Sequence, residues 1–153
     1  MPRYHDSRLI PYPQKEVFNI VRDVERYPEF VPWCKAVTVK ERKNNHLIVD
    51  LTAGNDFLSE TYTSDVYLTP YSKIEVSQNK GPFKYLSNIW EFKEHPTGTE
   101  ISFLIEFEFK SFFFQKAIES VFMETATRMI QAFDKRIRTL YDVPHLNRQE
   151  ATG

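Results

Sequence analysis

Ile101-Ser102-Phe103-Leu104-Ile105-Glu106-Phe107-Glu108-Phe109 is the stretch on which the fold turns. Ile101, Phe103, Ile105, Phe107 and Phe109 alternate with Ser102, Leu104, Glu106 and Glu108, a period of two that makes a β-strand with one dry face and one mostly wet face. A few residues later the period changes. Ile118, Phe122, Met129, Phe133, Ile137 and Leu140 recur at helical steps, which predicts a long amphipathic helix from about Phe113 to Tyr141. At 1.5 Å per residue such a helix is roughly 40 Å long, the width of a domain. Its apolar stripe must be covered, and the dry face of the sheet is the natural partner.

Working back from this junction, the period of two persists as far as Lys35. Pro96-Thr97-Gly98 and Lys80-Gly81-Pro82 bound a strand around Tyr85–Lys93, and Pro70-Tyr71-Ser72 leads to Ile74 and Val76. A longer strand runs from Phe57 to Leu68. Leu47, Val49, Leu51 and Ala53 share one face between turns at Asn44-Asn45 and Gly54-Asn55-Asp56, and Val37 and Val39 alternate before them. Consecutive strands with short turns predict an antiparallel meander.

At the other end, Arg3–Ile10 reads as a first strand. Pro11 and Pro13 lead into a helix over Gln14–Arg22 with Val17, Phe18 and Val21 on its apolar stripe. Between Asp23 and Trp33, Pro28 and Pro32 with Tyr27, Phe30 and Trp33 predict a short helical turn and a stiff aromatic loop. The expected fold class is α+β: a curved antiparallel sheet wrapped around a long C-terminal helix, with a hydrophobic cavity left between curved sheet and straight helix. One domain over 3–141 and a polar, flexible tail over 142–153 complete the expectation.

The composition narrows the function. Of 153 residues, 15% are aromatic, with 13 Phe, 8 Tyr and 2 Trp, and such rings fill wide cores or line ligand cavities. The formal net charge is -1, whereas phosphate neutralisation by a nucleic-acid binder favours a clearly basic face. The local run Lys135, Arg136, Arg138 suits the negative end of a helix dipole. Cys34 is the single cysteine, so an intrachain disulfide is excluded. His5, His46, His95 and His145 show no metal-ligand spacing, and no apolar run is long enough to span a bilayer. The N-terminus carries neither a secretory nor a transit pattern. Glycines at 54, 81, 98 and 153 make no phosphate loop, and neither a nucleophile elbow nor a zincin helix is present.

What remains is a handful of side chains. Glu60 shares the alternation of Leu58, Tyr62, Val66 and Leu68, so it reads either as an inward acid meeting a polar headgroup or as a rim residue near a strand end. Lys35 follows the aromatic loop directly, where an ammonium meets a ligand oxygen, or is a plain surface lysine. Tyr27, Phe30 and Trp33 suit a lid at an apolar–wet boundary as well as ordinary core closure.

Tyr27-Pro28-Glu29-Phe30-Val31-Pro32-Trp33-Cys34-Lys35 resembles the signature of the coenzyme Q-binding protein family, mitochondrial START-domain proteins with bacterial relatives. Glu60-Thr61-Tyr62-Thr63-Ser64, Asn88-Ile89-Trp90-Glu91-Phe92 and Phe107-Glu108-Phe109-Lys110-Ser111 agree with it, so the resemblance runs from about Ser7 to Tyr141. It implies a helix-grip, START-like fold and a non-catalytic carrier of ubiquinone (coenzyme Q). That carrier needs no catalytic cofactor and supports respiration and ubiquinone biosynthesis. It further implies a location on the matrix side of the mitochondrial inner membrane, respiratory or ubiquinone-biosynthetic complexes as partners, and no nucleic acid.

On this reading the prenyl tail runs along Leu51, Leu58, Tyr62, Leu86 and Trp90, then Phe103, Ile105, Ile118 and Phe122, with Phe107 in the same ladder. The quinone head lies near Lys35 or Glu60, and the loop carrying Phe30 and Trp33 is the gate. Two rivals stand beside it. Helix-grip aromatase/cyclases use cavity acids and hydroxyls, which Glu60, Tyr62 and Ser64 would supply; bacterial members of the wider family are interaction modules linked to ribosomal subunits.

Overall fold

Alternation of apolar residues through most of the chain is satisfied by a single antiparallel sheet. The computed structural model describes residues 3–54 and 59–152, with side chains described as far as Leu140. Its strands are β1 (Arg3–Ile10), β2 (Cys34–Lys43), β3 (His46–Gly54), β4 (Ser59–Thr69), β5 (Lys73–Lys80), β6 (Phe83–His95) and β7 (Gly98–Phe109). They lie in the order β1-β7-β6-β5-β4-β3-β2, so β2 to β7 form the expected meander and β1 closes its far edge beside β7. Gly98 is needed there, because a Cβ at this positive-φ position would collide with the carbonyl oxygen of Ile10.

Register irregularities at Cys34/Ala36, Val39/Glu41, Thr63/Ser64 and Phe83/Tyr85 interrupt the ladders. Bulges bend a strand and increase its twist, so these irregularities curl the sheet toward one side. That concave side is the apolar one. Trp90 sits opposite Phe103 and Ile74 in the register, and Leu86 opposite Phe107.

Helix α1 (Gln14–Val21) and the 3₁₀ turn Val24–Glu29 cover one end. Phe18 of α1 meets Phe92 edge-on at 5.4 Å, and Gln14 Nε2 donates to the Phe92 carbonyl at 2.9 Å. The C-terminal helix differs from the expectation. Instead of one rod from Phe113 to Tyr141 there are two, α2 (Phe112–Glu119) and α3 (Phe122–Thr152). The break falls at Ser120-Val121, where the Ser120 hydroxyl donates back to the Ala117 carbonyl at 2.9 Å and the Val121 N–H closes a three-residue turn on Ile118. Serine competes with the helix ladder in this way, which a reading of apolar period alone does not register. The backbone expected to be a tail at 142–153 is helical as far as Thr152; the side chains there lie outside the described residues.

α3 lies across the concave face at two points: Phe122 on Phe107 with ring centroids 4.9 Å apart, and Phe133 on Trp90 at 4.8 Å. Tyr27 and Phe30 also meet Phe133 edge-on, at 5.1 and 5.0 Å. The loop between the 3₁₀ turn and β2 is thereby tied to α3. Arg136 adds a latch, donating to Glu29 at 2.8 Å with its guanidinium 4.9 Å above the Phe30 ring. That hydrogen bond is the main reason the Glu29 carboxyl is held below the usual carboxylate range.

Candidate ligand-binding cavity

Between α3 and the strands β3 to β7 the packing leaves two chambers. The outer one, about 330 Å³ and open on one side, is lined by Pro32 and Trp33, the adjoining ends of β3 and β4 (Ala53, Gly54, Ser59, Glu60, Tyr62), Phe83 and Phe109, and α2 with the start of α3. Its wall is a chain of aromatic contacts: Tyr62 to Phe83 at 5.2 Å, Phe83 stacked on Phe109 at 4.5 Å, and Phe109 to Phe114 at 5.2 Å. The inner chamber, about 80 Å³, is lined by Val49, Leu51, Ser64, Val66, Leu86, Asn88, Trp90 and Ile105, and by Met129 and Phe133 of α3. Trp33 and Tyr62 line both chambers and so form the boundary between them.

Tyr62 holds its place because Gly81 lies against it. A Cβ on Gly81 would fall 2.6 Å from the Tyr62 Cβ. Burial raises the Tyr62 phenol well above its usual range, with nearby Cys34 adding to the shift, and burial pushes the Cys34 thiol up to about 11. Both groups are therefore neutral at physiological pH. Besides Arg136 Nε at the latch, two polar groups at the chambers are buried among the described residues without a hydrogen-bond partner: the indole Nε1–H of Trp33 and the hydroxyl of Ser64. Each has been removed from water at a cost of about 1–3 kcal/mol with nothing returned by the protein. Trp33 can only donate and Ser64 can donate, so what this boundary lacks is an acceptor.

The structure brings together many of the residues singled out from sequence. Trp33, Glu60, Tyr62 and Ile118 line the outer chamber; Leu51, Leu86, Trp90 and Ile105 join Trp33 and Tyr62 around the inner one. Others lie elsewhere. Lys35 is exposed: the bulge at Cys34/Ala36 turns Cys34 inward, and Lys35 lines neither chamber. Phe30 packs on Phe133 from outside the cavity, and Phe107 and Phe122 pack on each other behind its wall. Phe103 lies at the densely packed end beside Trp90, next to a void of only 20 Å³. Leu58 lies outside the described residues.

Phe83, Phe114, Thr125 and Arg128 were missed, and Ser64 figured only as a catalytic hydroxyl. Ser64 carried a usable signal, since it shares the parity of Tyr62 and Val66 on β4. Phe83 and Phe114 carried none, because a turn and a helix break decide their direction. A wider depression of about 620 Å³ elsewhere on the surface, lined by Lys15, Glu94, His95 and Thr97 among others, is open to water and shares no residue with either chamber.

Comparison with known proteins supplies four findings. A family model described as polyketide cyclase / dehydrase and lipid transport matches residues 10–134. The ribosome association toxins RatA of Rickettsia prowazekii and Pseudomonas aeruginosa are 36% and 34% identical over 142 and 136 residues, covering 97% and 94% of those proteins and 90% and 88% of this chain. The mitochondrial coenzyme Q-binding protein COQ10 of Dictyostelium discoideum is 33% identical over 140 residues, covering 88% of this chain and 68% of that protein. Among solved structures, the Zhui aromatase/cyclase from a Streptomyces superposes with a TM-score of 0.79 at 16% identity, covering 91% of this chain and 95% of that one, which shows the fold alone. The mitochondrial location expected above is overturned: bacterial proteins match at 36% and 34% along nearly their whole length, so the similarity points to a bacterial protein.

Proposed function

The chain belongs to the polyketide cyclase / dehydrase and lipid transport family, and on that footing we propose that it carries a prenyl quinone of the coenzyme Q type without turning it over. The observation that carries this reading is the pairing of an aromatic-walled cavity with two orphaned donors, Trp33 Nε1–H and Ser64 Oγ–H. A quinone carbonyl supplies the acceptor those donors lack, and a neutral head suits an inner chamber lined by no charged side chain among the described residues. The head sits against Ser64 and Trp33, and the tail passes Tyr62 into the outer chamber among Phe83, Phe109 and Phe114. Each five-carbon unit leaving water is stabilised by roughly 3–4 kcal/mol, so such a lipid stays in a membrane or in a tunnel. Membrane and tunnel are both apolar, so exchange between them is nearly balanced, as release requires.

Glu60 is the one acid among the described residues lining the chambers. It stands where a tail passes, at the outer chamber, which Trp33 also borders, whereas Ser64 lines only the inner chamber. This supports carriage over acid–base chemistry, which asks for a second group within hydrogen-bond reach of the reacting atoms. Organic extraction of the protein purified from cells, followed by mass spectrometry, tests the proposal. Near-stoichiometric prenyl quinone is expected. Fatty acid or phospholipid in its place would withdraw the quinone, and a protein that is empty and takes up no quinone on reconstitution would overturn carriage altogether.

A second reading is favoured by the RatA relatives, whose name ties those proteins to ribosomes. Sucrose-gradient sedimentation with ribosomal particles tests it: co-migration at physiological salt supports it, and a protein that stays at the top of the gradient removes it.

A further inference from the structure

Ring side chains on α2 divide between inside and outside. Phe114 and Ile118 line the outer chamber, whereas Phe112 and Phe113 are 76% and 77% exposed, with Met123 at 59% and Val121 at 47% beside them at the α2–α3 break. The arrangement is held rigidly. Ser111 caps α2 by accepting from the Phe114 N–H at 3.2 Å. Buried Gln115 clamps the helix to the end of β7, accepting from the Phe109 N–H at 2.8 Å while its amide donates to Glu119 at 3.0 Å.

We propose that this corner, Phe112, Phe113, Val121 and Met123, is a membrane-docking tip that seats the mouth of the outer chamber on a lipid bilayer. The occupant is argued from three observations. First, the tip is continuous with the cavity: Val121 is both part of the exposed patch and part of the chamber lining. A ligand leaving past Phe114 and Ile118 therefore emerges at the patch, and a prenyl lipid, if the carrier reading holds, leaves only into a bilayer.

Second, the area is wrong for a protein partner. Taking about 150–250 Å² for a free aromatic side chain, the four side chains expose on the order of 500 Å², short of the roughly 800 Å² per partner in a stable protein interface. Rings that are three-quarters exposed also stand proud of the surface instead of forming a flat face.

Third, the surrounding charges are mixed. Lys110, Lys116 and Arg128 are offset by Glu119 and Glu124, and Lys116 and Arg128 are paired with them at 3.8 and 2.7 Å. A weakly charged rim around protruding Phe rings fits a neutral bilayer, into whose headgroup–acyl boundary such apolar side chains insert. It does not fit an anionic polymer.

The test is flotation of the intact protein with phosphatidylcholine vesicles, alongside the F112S/F113S variant and a control variant, K135E/R138E, remote in sequence from the tip. Wild type and control are expected to float, at about 0.1 M and at about 1 M salt alike, because shortening the Debye length from about 10 to about 3 Å does not weaken apolar insertion. The double serine variant is expected to bind at least tenfold less while melting at the wild-type temperature, since both rings are exposed. Failure of wild type to float, or equal flotation of F112S/F113S, overturns the proposal. So does a dimer in sedimentation velocity that the serine variant dissolves. Extracting lipid from the same preparations separates the two readings: a lipid-loaded protein that never floats refutes the tip alone, and a floating protein that never holds quinone refutes the carrier alone.

Discussion

Replacing Ser64 by Ala should move stability and binding in opposite directions, a combination that few roles produce. Ser64 is 4% exposed, lies between Tyr62 and Val66 on the inward parity of β4, and lines the inner chamber with an unpartnered hydroxyl. In the ligand-free protein that hydroxyl has lost its water at a cost of about 1–3 kcal/mol. Deleting one atom from a wall that already faces empty space adds little cavity; at about 24 cal/mol per Å³ the penalty is roughly 0.3 kcal/mol. The lipid-free S64A protein should therefore be more stable by about 1–2 kcal/mol, a rise in Tm of roughly 2–8 °C for a chain of this size.

In the complex the hydroxyl of the wild type is satisfied by the ligand, and the variant forfeits that gain. Affinity for a short-chain benzoquinone should fall about 5- to 150-fold. The assay is built in, because the chain's two tryptophans, Trp33 and Trp90, both line the inner chamber and a quinone beside them quenches their emission. Differential scanning calorimetry of delipidated protein gives the other half. A lowered Tm for S64A, or an unchanged Kd, would refute the reasoning, since either means that the hydroxyl serves the fold and not a ligand.

Three further predictions follow from the same geometry. Gly81→Ala puts a Cβ 2.6 Å from that of Tyr62, so it should cost about 1–3 kcal/mol by overpacking; it should also weaken quinone quenching by shifting the boundary residue, both read on one sample by melting and titration. Phe133→Ala removes a ring that is 3% exposed and packed on Trp90, Tyr27 and Phe30; a loss of about 3–5 kcal/mol in chemical denaturation is expected, with bulkier quinone heads admitted to the enlarged inner chamber. The Glu29–Arg136 latch should depend on pH. The folded carboxyl titrates below its ordinary value of 4.5, so the latch is fully present above that value and is lost as pH falls through the lower folded value. Tyr27 and Phe30 ring resonances should shift in that acid range in wild type and stay flat in Glu29→Gln; equal titration in both would remove the latch.

Where periodicity alone decides structure, the sequence was legible. Period two through β2 to β7 set which residues face the helix, and it correctly sent Leu51, Tyr62, Leu86, Trp90 and Ile105 to one side. Aromatic content correctly announced a wide interior. The same parity argument could not tell cavity from core, and Phe103, Phe107 and Phe122 proved to be packed solid. A face is a local property of a strand; a void is where two faces fail to touch. Lys35 shows a second limit, because one bulged residue inverted the parity that its neighbours obeyed.

What the chain's own order of residues determined, then, was the antiparallel meander and the amphipathic helical segment that covers it. These follow from which side chains leave water, a choice each short segment makes for itself. Only the tertiary structure decided that the helix breaks at Ser120-Val121, that Trp33 and Tyr62 meet between two chambers, and that Trp33 and Ser64 are left without acceptors. Each of these depends on distances between segments far apart along the chain, set by bulges, a latch and a helix break whose combined curvature no local pattern encodes.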